Sequence, residues 1–309
     1  MLEPLAETSE VDARSRTHPS RTHHRDIASV LTLLGGIADN QQKKTDAKRY
    51  YQKALERFRA LGDDSGMAAV LHNLASVLND IGDSGAAVEH YQQSLRRYHG
   101  LGNQVGVAYN LYSLGVLYLR ERRYGEADAS LEQALALCEE TGLDALVPNV
   151  LQRLGQVAMG RGDTRTAARQ LRRALQRSDV LNDDNSYTSI LVSLGRLALQ
   201  RGELGDARQQ IVQGLERLQN RPVSSTLLRC LTNVAELWQR EKRDDDAARL
   251  LGNILAHPLT LPETAERAQT LLATLAPNPD SVNADTTDPD SDDLAEYAHE
   301  VFIALATSS

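Results

Sequence analysis

The side chains of this 309-residue chain that are best suited to chemistry are recognition groups rather than reactive ones. Asn73, Asn149, Gln152 and Gln156 carry amides that both donate and accept hydrogen bonds, the pairing that a peptide backbone asks for. Arg153 and Arg196 carry planar forks able to grip a carboxylate with two bonds. Tyr109 and Tyr112 offer rigid contact area at low entropic cost. Reactive constellations are missing. There is no glycine-rich phosphate loop ending in Lys-Ser/Thr, no GxGxxG after a strand, no HExxH, no GxSxG and no DxDxDG calcium loop. An enzyme therefore has no residues to rest on, and no cofactor is expected.

Metal and redox chemistry fare no better. His18, His23 and His24 lie in a basic stretch with no Cys or carboxylate at ligand spacing, so a solvated patch is the expected reading. Cys138 and Cys230 are the only cysteines, too few for a disulfide scaffold or a four-Cys zinc site. Both fall in helical patterns and read as small buried hydrophobes.

These groups must be positioned by helices. Aromatic residues make up only 4% of the chain, so its core is built from Leu, Ala and Val, which favours helix packing over a β-sandwich. The net charge of −8 argues against a surface made to bind nucleic acid or an anionic membrane. No apolar run approaches the length of a membrane span, and the acidic first residues are unlike a signal peptide. A cytoplasmic location is expected.

An internal repeat organises the chain, with a period of 40 residues from about 27 to 256. Leu31 recurs as Leu71, Leu111, Leu151, Leu191 and Leu231. Ala47 recurs as Ala87, Ala127, Ala167, Ala207 and Ala247, and Leu55 as Leu95, Leu135, Leu175, Leu215 and Leu255. A further column holds Gly35, Ala75, Gly115, Gly155, Gly195 and Ala235.

The physics of one copy is visible in the second. Met67, Val70, Leu71, Leu74, Val77, Leu78 and Ile81 share a helical stripe. Gly82-Asp83 breaks it, glycine suiting a left-handed C-terminus and Asp the next N-cap. Ala87, Val88, Tyr91, Leu95 and Tyr98 form a second stripe, ended by Leu101-Gly102-Asn103. Each copy is thus a helical hairpin, and small residues in the Gly35 and Ala47 columns let its helices approach closely. A lone hairpin cannot cover both faces, so copies must stack.

The steps Leu111, Leu114-Gly115, Tyr118, Ala127, Leu131, Ala134 and Leu151, Leu154-Gly155, Ala158, Ala167, Leu171, Ala174 resemble the tetratricopeptide repeat. The departure is a period of 40 residues in place of 34, without a proline closing the second helix. That longer variant is similar to the C-terminal arrays of bacterial STAND-type regulators and to peptide-pheromone receptors. The resemblance spans roughly residues 27–276. It implies an all-α right-handed superhelical solenoid of six hairpins at 27–66, 67–106, 107–146, 147–186, 187–226 and 227–266. A capping helix at 262–276 follows His257-Pro258 and the start signal Pro262-Glu263-Thr264.

Outside the array, residues 1–25 read as a disordered polar tail and 277–291 as an acidic flexible linker. Residues 292–307 form a short amphipathic helix carrying Leu294, Tyr297, Val301, Phe302 and Leu305. It has three candidate seats: the array end, a partner, or the chain's own groove. The block Asp244-Asp245-Asp246 is expected at the start of a helix in the sixth copy.

The resemblance also implies that first helices line a concave face. On that face it places Asn73, Tyr109, Tyr112, Asn149, Gln152, Arg153, Gln156 and Arg196 as candidate ligand contacts. Asn110 stands in a column otherwise occupied by Val30, Val70, Val150, Ile190 and Cys230, so it needs a partner, and the groove is one candidate. Arginines crowd the middle of the chain, from Arg120 to Arg177, and would attract an acidic partner segment. The implied function is a non-catalytic scaffold that binds a protein or peptide segment, with no direct contact to nucleic acid or membrane, in bacterial signalling. The alternative is the detached small-inducer-sensing array of a STAND ATPase or LuxR-type regulator.

Overall fold

In the computed structural model, which describes residues 21–219, 221–275 and 291–307, the described chain is helical throughout apart from its turns. Helices α1 (Arg21–Asn40) and α2 (Lys44–Leu61), α3 (Asp64–Asp80) and α4 (Ser84–Gly100), and α5 (Gln104–Arg120) and α6 (Tyr124–Thr141) follow one another as hairpins. A 3-10 turn at Asp144–Leu146 leads into α7 (Val147–Gly160), whose Pro148 sits in the first turn, where a missing N–H costs nothing. Then come α8 (Thr164–Val180), α9 (Asp184–Arg201), α10 (Leu204–Leu218), α11 (Ser225–Arg240) and α12 (Asp244–Ala256). Helices α13 (Pro262–Thr274) and α14 (Ser291–Thr307) complete the described chain. It divides into two compact units, residues 1–117 and 118–309.

Local rules set the hairpins. A residue with positive φ recurs every twenty positions: Gln42, Gly62, Gly82, Gly102, Arg122, Gly142, Gly162, Asn182, Gly202 and Lys242. This left-handed residue follows α1 to α9 and α11 and turns the chain. Position 222 would be next, but Pro222 cannot adopt positive φ, and the chain there runs through a longer loop between α10 and α11. The following helix starts at Asp63, Asp83, Asp163 or Asp183, each of which accepts a hydrogen bond from the backbone N–H three residues on. Asp244, Asp245 and Asp246 occupy the first turn of α12, where the helix dipole favours negative charge.

Small residues set the close approaches. A Cβ on Gly35 would lie 2.6 Å from the Tyr51 ring, and one on Gly155 would lie 2.7 Å from Leu171 Cγ. Both glycines therefore bring a first helix against its own second helix. In residues 118–309, Ile211, Leu215, Leu228, Leu231, Val234, Ala247 and Leu251 form a continuous buried core between successive hairpins. In residues 1–117, Val30, Leu33 and Ile37 of α1 are exposed.

The N-terminal end differs from the sequence expectation. Helix α1 begins at Arg21, so residues 21–25, expected within the polar tail, are helical; residues 1–20 lie outside the described set. The linker at 277–291 falls outside it except for Ser291, the first residue of α14. Helix α13 covers the segment expected to cap the array, and α14 covers the amphipathic segment. In place of the three seats expected for that segment, α14 packs on α10, the second helix of the fifth copy. Leu294, Ala298, Val301 and Leu305 are buried, and Arg208 Nη1 lies 3.4 Å from the Leu305 carbonyl.

Candidate functional site

Curvature follows from which helices touch. In residues 118–309, α7 packs on α9, α9 on α11 and α11 on α13. The second helices α8, α10 and α12 make no comparable contact with one another. A stack whose first helices crowd together while its second helices fan apart bends toward the first helices, so α7, α9, α11 and α13 form an inner face. Helix α14 docks on the outer helix α10 and leaves that face open. Arg122, just before α6, is ion-paired with Glu266 of α13.

The inner face is built in stripes. On α7 it presents Asn149, Gln152, Arg153 and Gln156; on α9, Ser189, Ser193 and Arg196; on α11, Arg229, Asn233 and Glu236; on α13, Glu263 and Arg267. A polar ladder joins the first three helices. Gln152 Nε2 lies 2.8 Å from the Ser189 carbonyl, 3.0 Å from Ser189 Oγ and 2.9 Å from Ser193 Oγ. Gln156 donates to Ser193 Oγ at 3.3 Å and accepts from Arg153 Nη1 at 3.0 Å. Asn233 donates to the Val192 carbonyl at 2.8 Å and accepts from Arg267 Nη1 at 2.7 Å.

That ladder changes the standing of one predicted contact. Gln152 is only 3% exposed and its amide nitrogen is committed to Ser189 and Ser193. It acts as a strut of the wall, because an inter-helix hydrogen bond is the cheapest way to bury an amide. Asn149 is half-buried beside Ser186, whose hydroxyl lies 3.4 Å from its Oδ1. Arg153 and Gln156 are half-buried, and Arg196 is exposed.

The electrostatics centre on arginine. Arg267 is neutralised by Glu236 at 2.5 Å. Arg153, Arg196 and Arg229 have no carboxylate at ion-pair distance among the described residues. Arg229 is half-buried and reaches only Ser189 Oγ, at 3.5 Å. Burial pushes its pKa down to about 10, and the positive charge of Arg153 adds to the shift. Arg196 is lowered in the same direction, first by desolvation and then by Arg267, with Glu236 and Glu263 opposing. Its solvent exposure and its desolvation agree if the side chain projects into a hollow with protein on most sides. The Nε of Arg153 is buried with no acceptor among the described residues.

Sequence reasoning missed Arg229 and Arg267. Arg229 shares the column of Ser29, Ala69, Tyr109, Asn149 and Ser189 and falls in the sixth copy, outside copies two to five that hold the sequence candidates. Arg267 lies in α13, beyond the six copies, where no column pointed.

Asn73, Tyr109 and Tyr112 lie in residues 1–117, on α3 and α5. Tyr109 is 42% exposed, while Asn73 and Tyr112 are half-buried. Asn110 does not reach any groove. It is fully buried, its Nδ2 donates to the Gly106 carbonyl at 2.8 Å, and its Oδ1 accepts from His72 Nδ1 at 3.3 Å. Burial holds the His72 pKa below its usual value, with the Asn110 bond opposing. His72 therefore stays neutral, with its proton on Nδ1.

Among the described residues no group of His, Cys, Asp or Glu is arranged to hold a metal ion, and no helix is long and apolar enough to cross a membrane. Cys138 and Cys230 are buried free thiols, their pKa values raised by burial to about 11 and about 12.

Family models described as tetratricopeptide repeat match residues 26–100, 66–140 and 153–222. The chain belongs to the tetratricopeptide repeat superfamily. No curated protein matches it. Among solved structures, it is similar to the apo form of RapI, with 15% identity, a TM-score of 0.64, and coverage of 84% of this chain and 88% of that one. The apo quorum sensor NprR from B. thuringiensis aligns at 14% identity and TM-score 0.62, over 93% of this chain and 78% of that one. A Rap protein solved in complex with Competence and Sporulation Factor aligns at 15% identity and TM-score 0.60, over 96% and 83% of the two chains. At these identities the likeness concerns the fold.

Proposed function

We propose that this tetratricopeptide array is a non-catalytic scaffold whose inner face binds a protein or peptide segment, serving as a sensor or adaptor in bacterial signalling. The observation that carries the reading is the open inner face on α7, α9, α11 and α13, where amides and arginines face solvent. That face offers donors and acceptors for a backbone and charge for side chains, and no nucleophile set beside a base. Two of the similar folds are the quorum sensor NprR and a Rap protein in complex with Competence and Sporulation Factor, which supports placing this chain in the same kind of role.

The test is selection of peptides from a random display library on the immobilised full chain. Selected peptides are then measured against a triple variant, Asn149→Ala/Arg153→Glu/Arg196→Glu, with helical content matched by circular dichroism. Peptides held by the wild type are expected to lose about tenfold or more in affinity on the variant. Equal affinity for both proteins would move the site off the inner face.

A further inference from the structure

We propose that the inner face of residues 118–309 is an oxyanion site centred on Arg229, and that its ligand is an acidic protein segment whose carboxylates meet Arg153, Arg196 and Arg229 together. The inference rests on the binding reading above and gives that site its ligand class.

The argument starts from cost. A guanidinium removed from water without a counter-charge is expensive, and a fold keeps one only where something offsets it. Elsewhere a guanidinium is either paired, as Arg161 with Asp128 at 2.7 Å and Arg243 with Asp246 at 2.7 Å, or exposed to water, as Arg165, Arg169 and Arg172 of α8 are. The inner face departs from it. Arg229 is more desolvated than those residues, and its one neutral contact, Ser189 Oγ, stands at the limit of hydrogen-bond length. Arg153 is held by Gln156, which joins Ser193, Gln152 and Ser189 in one polar ladder before any ligand arrives, and Arg229 stands at the edge of that ladder beside Ser189. Preorganised donors with an unmet charge are the makings of an anion site.

Spacing then selects the source of the anion. The three unpaired arginines project from three successive first helices, and packed helices stand about 8–10 Å apart. An extended chain advances about 3.3 Å per residue, so carboxylates spread over six to eight residues reach all three. A single small oxyanion spans one helix interval at most.

The probe is fluorescein-labelled octaglutamate, with octaglutamine as its neutral twin, read by fluorescence anisotropy on the full chain. Binding of octaglutamate is expected to weaken steeply with added salt. Arg229→Gln and Arg196→Gln should each lower its affinity about tenfold, while Arg172→Gln on the outer helix α8 should leave it within about twofold. Arg229→Lys keeps the charge and should retain most of the binding, which separates loss of charge from loss of fold. Absence of octaglutamate binding, or equal loss in Arg172→Gln, overturns the proposal. Octaglutamine bound as tightly as octaglutamate, and lost in the inner-face variants, overturns only its acid selectivity and leaves the peptide-binding reading standing. Displacement of octaglutamate by millimolar inorganic phosphate, with both ligands lost in Arg229→Gln, overturns the acidic segment in favour of a free oxyanion.

Discussion

Replacing Arg229 with methionine removes the charge and keeps a flexible, unbranched stem in a half-buried position. The structure sets the scale. Burial holds the guanidinium pKa at about 10, well below the ordinary arginine range, which at 1.36 kcal/mol per unit is about 3 kcal/mol held against the charged form in the fold. The sign follows from linkage. A folded pKa below the unfolded one means that the unfolded chain binds the proton more tightly, so stability rises with pH only from about 10 up to the ordinary arginine range. Below that window both states are charged and the cost is constant. Against it stand the Ser189 contact, about 0.5–1.5 kcal/mol, and the partial exposure of the side chain, which lets water recover some of the penalty. The net expectation is that Arg229→Met gains about 1–2 kcal/mol, or a few degrees in melting temperature for a unit of this size. Urea unfolding followed by far-ultraviolet circular dichroism, at low salt and at pH 6, 7.5 and 9, measures it. The gain should be the same at all three values and should shrink in high salt, where screening already relieves the wild type. A variant less stable than wild type by 1 kcal/mol or more, or a gain that appears only at one pH, would refute the argument that Arg229 is an uncompensated charge.

Two further outcomes follow from single residues. His72 has a folded pKa below its unfolded value, so it contributes stability above the ordinary histidine range that is lost as pH falls below it. His72→Gln keeps a donor for Asn110, should cost no more than about 1 kcal/mol at neutral pH, and should flatten acid unfolding relative to wild type in parallel urea titrations. Lys242 holds positive φ where Gly82, Gly162 and Gly202 stand in the equivalent turns, so Lys242→Gly should stabilise by about 0.5–1 kcal/mol, with a drop in melting temperature counting against it.

How much of this was legible beforehand can be judged from particular residues. The columns of Leu31, Ala47 and Gly35 dictated hairpins, because a period near 3.6 interrupted by glycine has few other solutions. Even the turns were written there, as glycines at 62, 82, 102, 142, 162 and 202. Gln42, Arg122 and Lys242 adopt the same conformation without the residue that announces it, since neighbouring helices force it on them. The exposed or half-buried standing of Arg153, Gln156 and Arg196 followed from their offsets within a copy.

Partnerships did not. Whether an amide is open or spent depends on what the next hairpin places opposite. Gln152 meets Ser189 and Ser193 and becomes part of the wall, while Asn110 meets His72 and disappears into the packing. Charge balance is likewise a property of neighbours. Arg229 and Arg267 read alike in sequence, yet Glu236 neutralises one and nothing among the described residues neutralises the other. Periodicity is local and survives in one dimension, so the sequence by itself determined the repeat, its hairpins and its turns. Desolvation and pairing depend on groups forty or more residues apart, and only the tertiary structure decided which of the inner arginines were left without a counter-charge.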